Sequence, residues 1–401
     1  MSRGRCYLIT VITALCVIAL AAGIGNWLRE QHFTDRTVKV GFVYVGDEST
    51  PYTENFIKAE KALQSKLGDR VEILVKNNVS EGEEEDAFRE LADESCDIIF
   101  STSYGYQDVV KEVVAQYPDI EFCQATGNNA NTDPVYENYH TFMGEIYQGR
   151  YLSGYAVGMK LKEWINEGVI QPEDAVIGYV AAYPYAEVIS GYTAFLLGVR
   201  EVVPEATMRV RYANTWSSYY AEKNIAKELI DEGCIVISQH SDTTGPAVAC
   251  EEASTYRRII HAGYNQSMLN VAPTTSLISC RINWEPYVTA ATTAVLRDKD
   301  IESYVKGNVN GNDIGCGFAQ GWVQMLELNE LLAADGTREQ LDTLKQQFVD
   351  GDCEVFKGSY IGVDPDDPSD TIDLSTGYRE NADSSAPTFH YVLQDIITIE
   401  Q

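Results

Sequence analysis

The chain is 401 residues long, 45% hydrophobic, and carries a formal net charge of −30 from 60 acidic and 30 basic residues. That length exceeds one ordinary core and suits two domains of roughly 150–200 residues each. So acidic a balance excludes nucleic acid and anionic membrane surfaces as main partners, because both are held by basic patches.

Arg3 and Arg5 precede residues 6–28, a run without a charged side chain. About 20 apolar residues suffice for a helix to span a bilayer, and the leading arginines place the N-terminus inside and the acidic body outside. A cleaved signal peptide ending near Ala19-Leu20-Ala21 is the rival reading. A lipoprotein matches poorly, since Cys16 follows Thr13-Ala14-Leu15 rather than a small residue. Residues 1–36 are therefore read as signal or membrane anchor, with the rest exported to the outer face of the plasma membrane.

From Val38 onward short apolar runs alternate with longer amphipathic ones. VKVGFVYVG (38–46) reads as a strand, and YTENFIKAEKALQSKL (52–67) as a helix with Phe56, Ala59, Ala62, Leu63 and Leu67 on one side. VEILVKN (71–77), DIIFSTS (97–103) and IEFCQA (120–125) are further strands, separated by helices over 83–94 and 106–116. MGEIYQGRYLSGYAVGMKLKEW (143–164) reads as a long helix between two sets of strands, with Gly149, Gly154 and Gly158 permitting close packing. The cycle resumes in AVIGYVAA (175–182), TMRVRYANTW (207–216), CIVISQH (234–240), IIHAGYN (259–265) and LISCRIN (277–283). Unbroken apolar strands with helical crossovers indicate parallel sheets covered on both faces. Their number asks for two sheets, so the expected fold class is α/β with two doubly wound lobes. Beyond about residue 300 the pattern is less regular. DPDDPSDTID (364–373) reads as a solvated acidic loop, lacking the glycine-centred spacing of an EF-hand. Seven of the nine cysteines lie outside the apolar segment, with no CxxC pair; Cys96, Cys234 and Cys280, in strand-like or helix-end contexts, read as buried free thiols, and export permits a disulfide that the sequence does not name.

In open α/β sheets ligands sit beyond the carboxyl ends of strands. Those ends supply the candidate site: Tyr52, Thr53, Thr102, Ser103, Tyr104, Thr126, Tyr185, Glu187, Trp216, His240, Asp242, Asn265, Arg281 and Trp284. Rings recur at nearly every end beside amide, hydroxyl and carboxylate groups, and arginine appears once. Such a set suits a flat, polar, uncharged ligand such as a nucleobase or nucleoside. Asp242 is the expected acceptor for a ribose hydroxyl or a ring N–H. His240 either touches ligand or is a satisfied structural histidine. The sequence has no phosphate loop, GxGxxG, HExxH or GxSxG motif, and its histidines show no metal-ligand spacing. No cofactor, metal or catalytic group is expected. In CIVISQHSD (234–242), neighbouring side chains of an extended strand end point to opposite sides, so His240, Ser241 and Asp242 are not a relay among themselves.

Five stretches carry a resemblance in order and spacing. They are VSEGEEEDAFRELADESCDIIFSTSYGYQDVVKEVVAQYPDIEFCQATG (79–127), EIYQGRYLSGYAVG (145–158), YAEVISGYTAFLLGVREVVPEA (185–206), NTWSSYYAEKNIAKELIDEGCIVISQHSD (214–242) and GYNQSM (263–268). Over roughly 38–395 the chain resembles the basic membrane protein (BMP) family, substrate-binding proteins of ABC transporters that include purine-nucleoside-binding lipoproteins. The resemblance implies a type I periplasmic-binding-protein fold, two lobes joined by three hinge crossings. The first lobe would hold 38–140 plus 260–298, and the second 141–259 plus 299–401.

It also implies that Trp216 and Tyr52 stack a base from opposite lobes. Asn265 stands where nucleoside binders carry an aspartate for the ribose, and Arg281 or Ile282 falls where the family has a lysine. Trp284-Glu285-Pro286-Tyr287 is similar to a stretch of free-base binders. The implied function is capture of a purine base or nucleoside for an ABC permease and its ATPase, without catalysis. Two readings from other classes are a nucleosidase-type hydrolase using Asp242 and His240, and a membrane-anchored ligand sensor. The chain to Gln401 carries no kinase, methyl-accepting or DNA-binding segment, so a sensor's output would come from another protein.

Overall fold

In the computed structural model, which describes residues 36–400, the apolar runs become strands and the amphipathic runs their crossovers. The uncharged stretch 6–28, with the signal or anchor assigned to it, lies outside the described residues. The first strands are β1 (Val38–Val43), β2 (Val71–Lys76), β3 (Ile98–Ser101), β4 (Glu121–Ala125) and β5 (Tyr139–Gly144). Next come β6 (Val176–Ala181), β7 (Thr207–Tyr212), β8 (Val236–His240), β9 (Ile260–Tyr264) and β10 (Ser276–Ile282). The tail adds β11 (Asn308–Asn310), β12 (Asp313–Cys316), β13 (Val323–Met325), β14 (Ile361–Val363), β15 (Thr371–Asp373), β16 (Val392–Leu393) and β17 (Ile397–Glu400).

Among the described residues these build two seven-stranded sheets, ordered β11-β12-β5-β4-β3-β1-β2 and β13-β10-β9-β8-β6-β7-β17, and a small sheet β15-β14-β16. The two large sheets are parallel except at one edge each, where β11 and β13 run antiparallel. The central strands β3, β5, β8 and β9 are buried along their whole length, as strands covered by helices on both faces must be. This is the type I periplasmic-binding architecture of two α/β lobes.

The division between lobes differs from the expected one. β9 and β10 pair in the second sheet rather than the first, while β11 and β12 complete the first sheet rather than the second. The reason is local: β8, helix Gly245–Ala253 and β9 form one βαβ unit, which returns the chain beside the strand it left. From the segment 260–298 only helix Glu285–Leu296 reaches the first lobe, packing on helix Pro51–Leu67.

β5 was hidden in the sequence. His140 and Thr141 make YHTFMG look too polar for a core strand, yet both are buried and paired. His140 lies between Glu121 and Glu302, and Thr141 donates to Asp313 Oδ1 at 2.7 Å. The helix that follows is Tyr147–Asn166, and it packs on helix Ala186–Val202 as closely as its glycines allow. A Cβ on Gly154 would lie 1.9 Å from the Phe195 carbonyl oxygen, and one on Gly198 2.1 Å from that of Tyr151.

Three crossings join the lobes, after β5, β10 and β12, and they are bundled. Glu145 N–H donates to the Cys316 carbonyl (2.9 Å) and Asn283 N–H to that of Trp322 (2.7 Å). Gln148 Oε1 accepts from the Phe318 N–H at 2.9 Å. A side chain on Gly144 would meet Ile282 at 2.8 Å, so glycine lets the first two crossings touch. The seven described cysteines are free thiols. No helix among the described residues is long and apolar enough to cross a membrane.

Candidate ligand-binding cleft

The carboxyl ends of both sheets face one cavity of about 120 Å³. Ten of the fourteen candidate residues line it: Tyr52, Thr53, Ser103, Tyr104 and Thr126 from the first lobe, and Glu187, Trp216, His240, Asp242 and Asn265 from the second. Val45, Gly46, Thr50, Ser217 and Tyr264 complete the lining.

The first-lobe wall is the start of helix Pro51–Leu67 and the loops after β3 and β4. Tyr52 donates its phenol proton to the Thr102 carbonyl (2.6 Å). Its ring stands edge-on to Phe56 and Trp284, at 5.4 and 6.2 Å between centroids. Thr126 sits at φ 61 and Ser103 donates to Glu81 (2.6 Å). Thr53 Oγ1 is buried and makes no hydrogen bond among the described residues.

The second-lobe wall gathers the QHSD turn, the segment after β9 and the aromatic loops. Asp242 accepts from Asn265 Nδ2 at 2.9 Å, and its N–H donates to the Trp216 carbonyl at 2.9 Å. Burial pushes the Asp242 carboxyl up to about 8, helped by the charges of Glu222 and Glu187 and opposed by the Asn265 bond. His240 Nε2 faces Glu187 Oε1 at 3.3 Å, its ring lies 4.5 Å from that of Tyr264, and its buried Nδ1 has no partner among the described residues. Burial holds this imidazole below its usual range despite Glu187, so it is neutral near pH 7.

Four candidates stand outside the lining. Trp284 is 1% exposed and stacks on Phe56 at 4.4 Å, a core contact behind Tyr52. Thr102 is buried, donating to the Val43 carbonyl (2.8 Å). Arg281 is engaged by Asn55 and Gln324. Tyr185 is 43% exposed and lies 5.5 Å from Tyr104, an aromatic contact between the two lobes at the cavity's edge.

Two supporting residues escaped the sequence reading. Glu222, on helix Tyr219–Asp231, is buried and accepts four hydrogen bonds, from Ser218 N–H, Ser241 Oγ, and the N–H and Oγ1 of Thr243. It clamps the turn that carries Asp242. Arg150 is fully buried and has no carboxylate partner among the described residues, donating to Ser238 (3.0 Å) and to the Gln239 (2.9 Å) and Gly263 (3.3 Å) carbonyls, with its guanidinium 5.3 Å from the Tyr264 ring. Glu222 reads as a solvated helix position, and Arg150 is a lone charge in a glycine-rich helix; neither carries a motif.

Ser241 Oγ–H donates a hydrogen bond to Glu222 Oε2 at 2.8 Å, and His240 Nε2 faces Glu187. His240 and Ser241 therefore have different carboxylate partners and do not hydrogen-bond to each other.

A family model described as ABC transporter substrate-binding protein, PnrA-like, matches residues 37–351. The chain belongs to this family of ABC transporter substrate-binding proteins. It is 29% identical over 344 residues to a purine-binding protein of Brucella abortus, covering 85% of this chain and 89% of that one. It is 30% identical over 334 residues to a putative ABC transporter glucose-binding protein of Haloferax volcanii, covering 82% and 77%. Among solved structures it is similar to an ABC transporter solute-binding protein of Conexibacter woesei, with TM-score 0.61, 13% identity, and coverage of 79% and 98%. That likeness concerns the fold.

Proposed function

We propose that this substrate-binding protein works outside the cytoplasm, takes a purine base or nucleoside between its lobes, and hands it unaltered to an ABC permease and its ATPase. One observation carries the ligand class. Tyr52 and Tyr104 from one lobe and Trp216 and Tyr264 from the other face a cavity with no lysine or arginine in its lining. Rings on both sides suit a planar solute, and Asp242, Asn265, Glu187 and the unpartnered Thr53 hydroxyl suit its polar edge. A cavity of about 120 Å³ is well below the roughly 300–1,000 Å³ of sites for drug-sized ligands, which favours the free base over the nucleoside.

The purine-binding relative supports this reading. The glucose-binding relative makes a hexose the alternative, with Asp242 and Asn265 as its hydroxyl partners. A nucleosidase using Asp242 and His240 is disfavoured because the two side chains are paired elsewhere, Asp242 with Asn265 and His240 with Glu187. Ligand held by both lobes favours the closed arrangement by its differential affinity for that state. Export and membrane attachment are assigned to the apolar segment 6–28. Isothermal titration against adenine, adenosine, guanosine, inosine and D-glucose tests the proposal: micromolar or tighter binding of a purine supports it, and heat with glucose alone overturns it.

A further inference from the structure

We infer that Asn55 is a latch between the lobes, a positioning residue that couples filling of the cleft to its closure. It follows Tyr52 and Thr53 by one helical turn or less, in the helix whose start lines the cavity. Asn55 is polar but only 3% exposed, and both ends of its amide are used across the lobe boundary. Its Nδ2 donates to the Asn265 carbonyl at 2.9 Å, and its Oδ1 accepts from Arg281 Nη1 at 2.9 Å.

Both partners are held from behind. Gln324 Oε1, on β13 beside the third crossing, accepts from Arg281 Nε (3.1 Å) and Nη2 (2.8 Å). Asn265 is 2% exposed and sits at φ 62, a left-handed conformation that asparagine tolerates. In that conformation its carbonyl meets Asn55 while its side-chain amide meets Asp242 in the cavity wall. The result is one continuous chain, Gln324–Arg281–Asn55–Asn265–Asp242, running from the hinge region through the first lobe into the site.

A solute resting on Tyr52 and Thr53 on one side and on Asp242 and Asn265 on the other grips the same two backbone segments that Asn55 ties together. Separating the lobes breaks both Asn55 bonds and leaves buried polar groups to be rehydrated. Each occupied contact therefore favours the state in which the latch is made, and the made latch slows release. The inference rests on the proposed ligand class only for the choice of probe.

The test uses the full chain, adenine, and stopped-flow intrinsic tryptophan fluorescence, to which Trp216 in the cavity wall contributes. Asn55→Ala is expected to raise the adenine dissociation rate about tenfold, the effect of losing one or two buried hydrogen bonds, with association changed less than about twofold. Arg281→Met leaves the helix untouched but removes every donor to Asn55 Oδ1, and is expected to shift dissociation in the same direction. It also decides the matter if Asn55→Ala fails to fold. Unchanged dissociation in both variants, whatever their melting temperatures, overturns the latch. If the wild-type protein binds no purine, the ligand reading fails separately. The latch is then decided by small-angle scattering of the ligand-free proteins, where a larger radius of gyration in Asn55→Ala supports it and an identical one overturns it.

Discussion

Asn265 and Asp242 meet side chain to side chain at 2.9 Å in the wall of the cavity, and the asparagine is the donor. The bond stabilises the Asp242 carboxylate, yet burial outweighs it and moves the group up to about 8. Its unfolded value is roughly 3.9, so the folded protein holds this proton more tightly than the unfolded chain. The sign follows from linkage: stability from Asp242 is fully present below about pH 4 and is lost as pH rises toward 8. The permanently neutral Asp242→Asn is therefore expected to show a flatter melting temperature between pH 6 and 8 than the wild type. Thermal scans of the ligand-free proteins check it; parallel curves would remove Asp242 as a titrating group.

His140 gives a second pH signature, away from the cleft. Burial disfavours its charge, but hydrogen bonds and charges from Glu121 and Glu302 more than compensate, raising it to about 9. A histidine raised in the folded state contributes stability that is complete below its unfolded value of roughly 6.5 and lost as pH climbs through 9. His140→Gln is expected to lower the melting temperature by several degrees at pH 6 and by much less at pH 9.5. An equal loss at both pH values would show that only packing was disturbed.

Periodicity made most strands legible, because β1 and β3 are largely apolar and the runs CIVI (234–237) and II (259–260) lead into β8 and β9. It could not say which sheet β9 and β10 join, since either lobe offers the same kind of buried neighbour. Strand ends located most of the cavity for a similar reason: the parallel sheet fixes where loops converge. Within a loop the alternation is lost, so the direction of each side chain was not legible. Tyr264 lines the cavity although it is not among the candidate residues, while Trp284 is among them and is core. Glu222 and Arg150 act through buried hydrogen bonds to backbone distant in sequence, which no local pattern records.

The two tryptophans should separate affinity from stability. Trp216 lines the cavity beside Tyr183, whose ring it meets at 5.3 Å. Stacking of a base on an aromatic ring contributes about 1–3 kcal/mol by alanine substitution, so Trp216→Ala is expected to weaken purine binding by roughly tenfold to a hundredfold with little change in melting temperature. Trp284→Ala removes a buried ring stacked on Phe56 and is expected to cost about 3–5 kcal/mol of stability. Paired calorimetry and titration check both, and a reversed pattern would relocate the ligand.

Charge sets the last expectation. The cavity presents Glu187 and Asp242 and no cationic side chain. The guanidinium groups nearby are committed: Arg150 is buried beside Tyr264, and Arg281 is tied to Asn55 and Gln324. A phosphate brought into this cleft would face the Glu187 carboxylate, and like-charge contacts of that kind cost several kcal/mol. Adenosine monophosphate is therefore expected to bind at least a hundredfold more weakly than adenine, a gap that should shrink in Glu187→Gln. Competition titration measures it directly, and equal affinity for base and nucleotide would mean that the ligand's polar edge does not face Glu187 and Asp242.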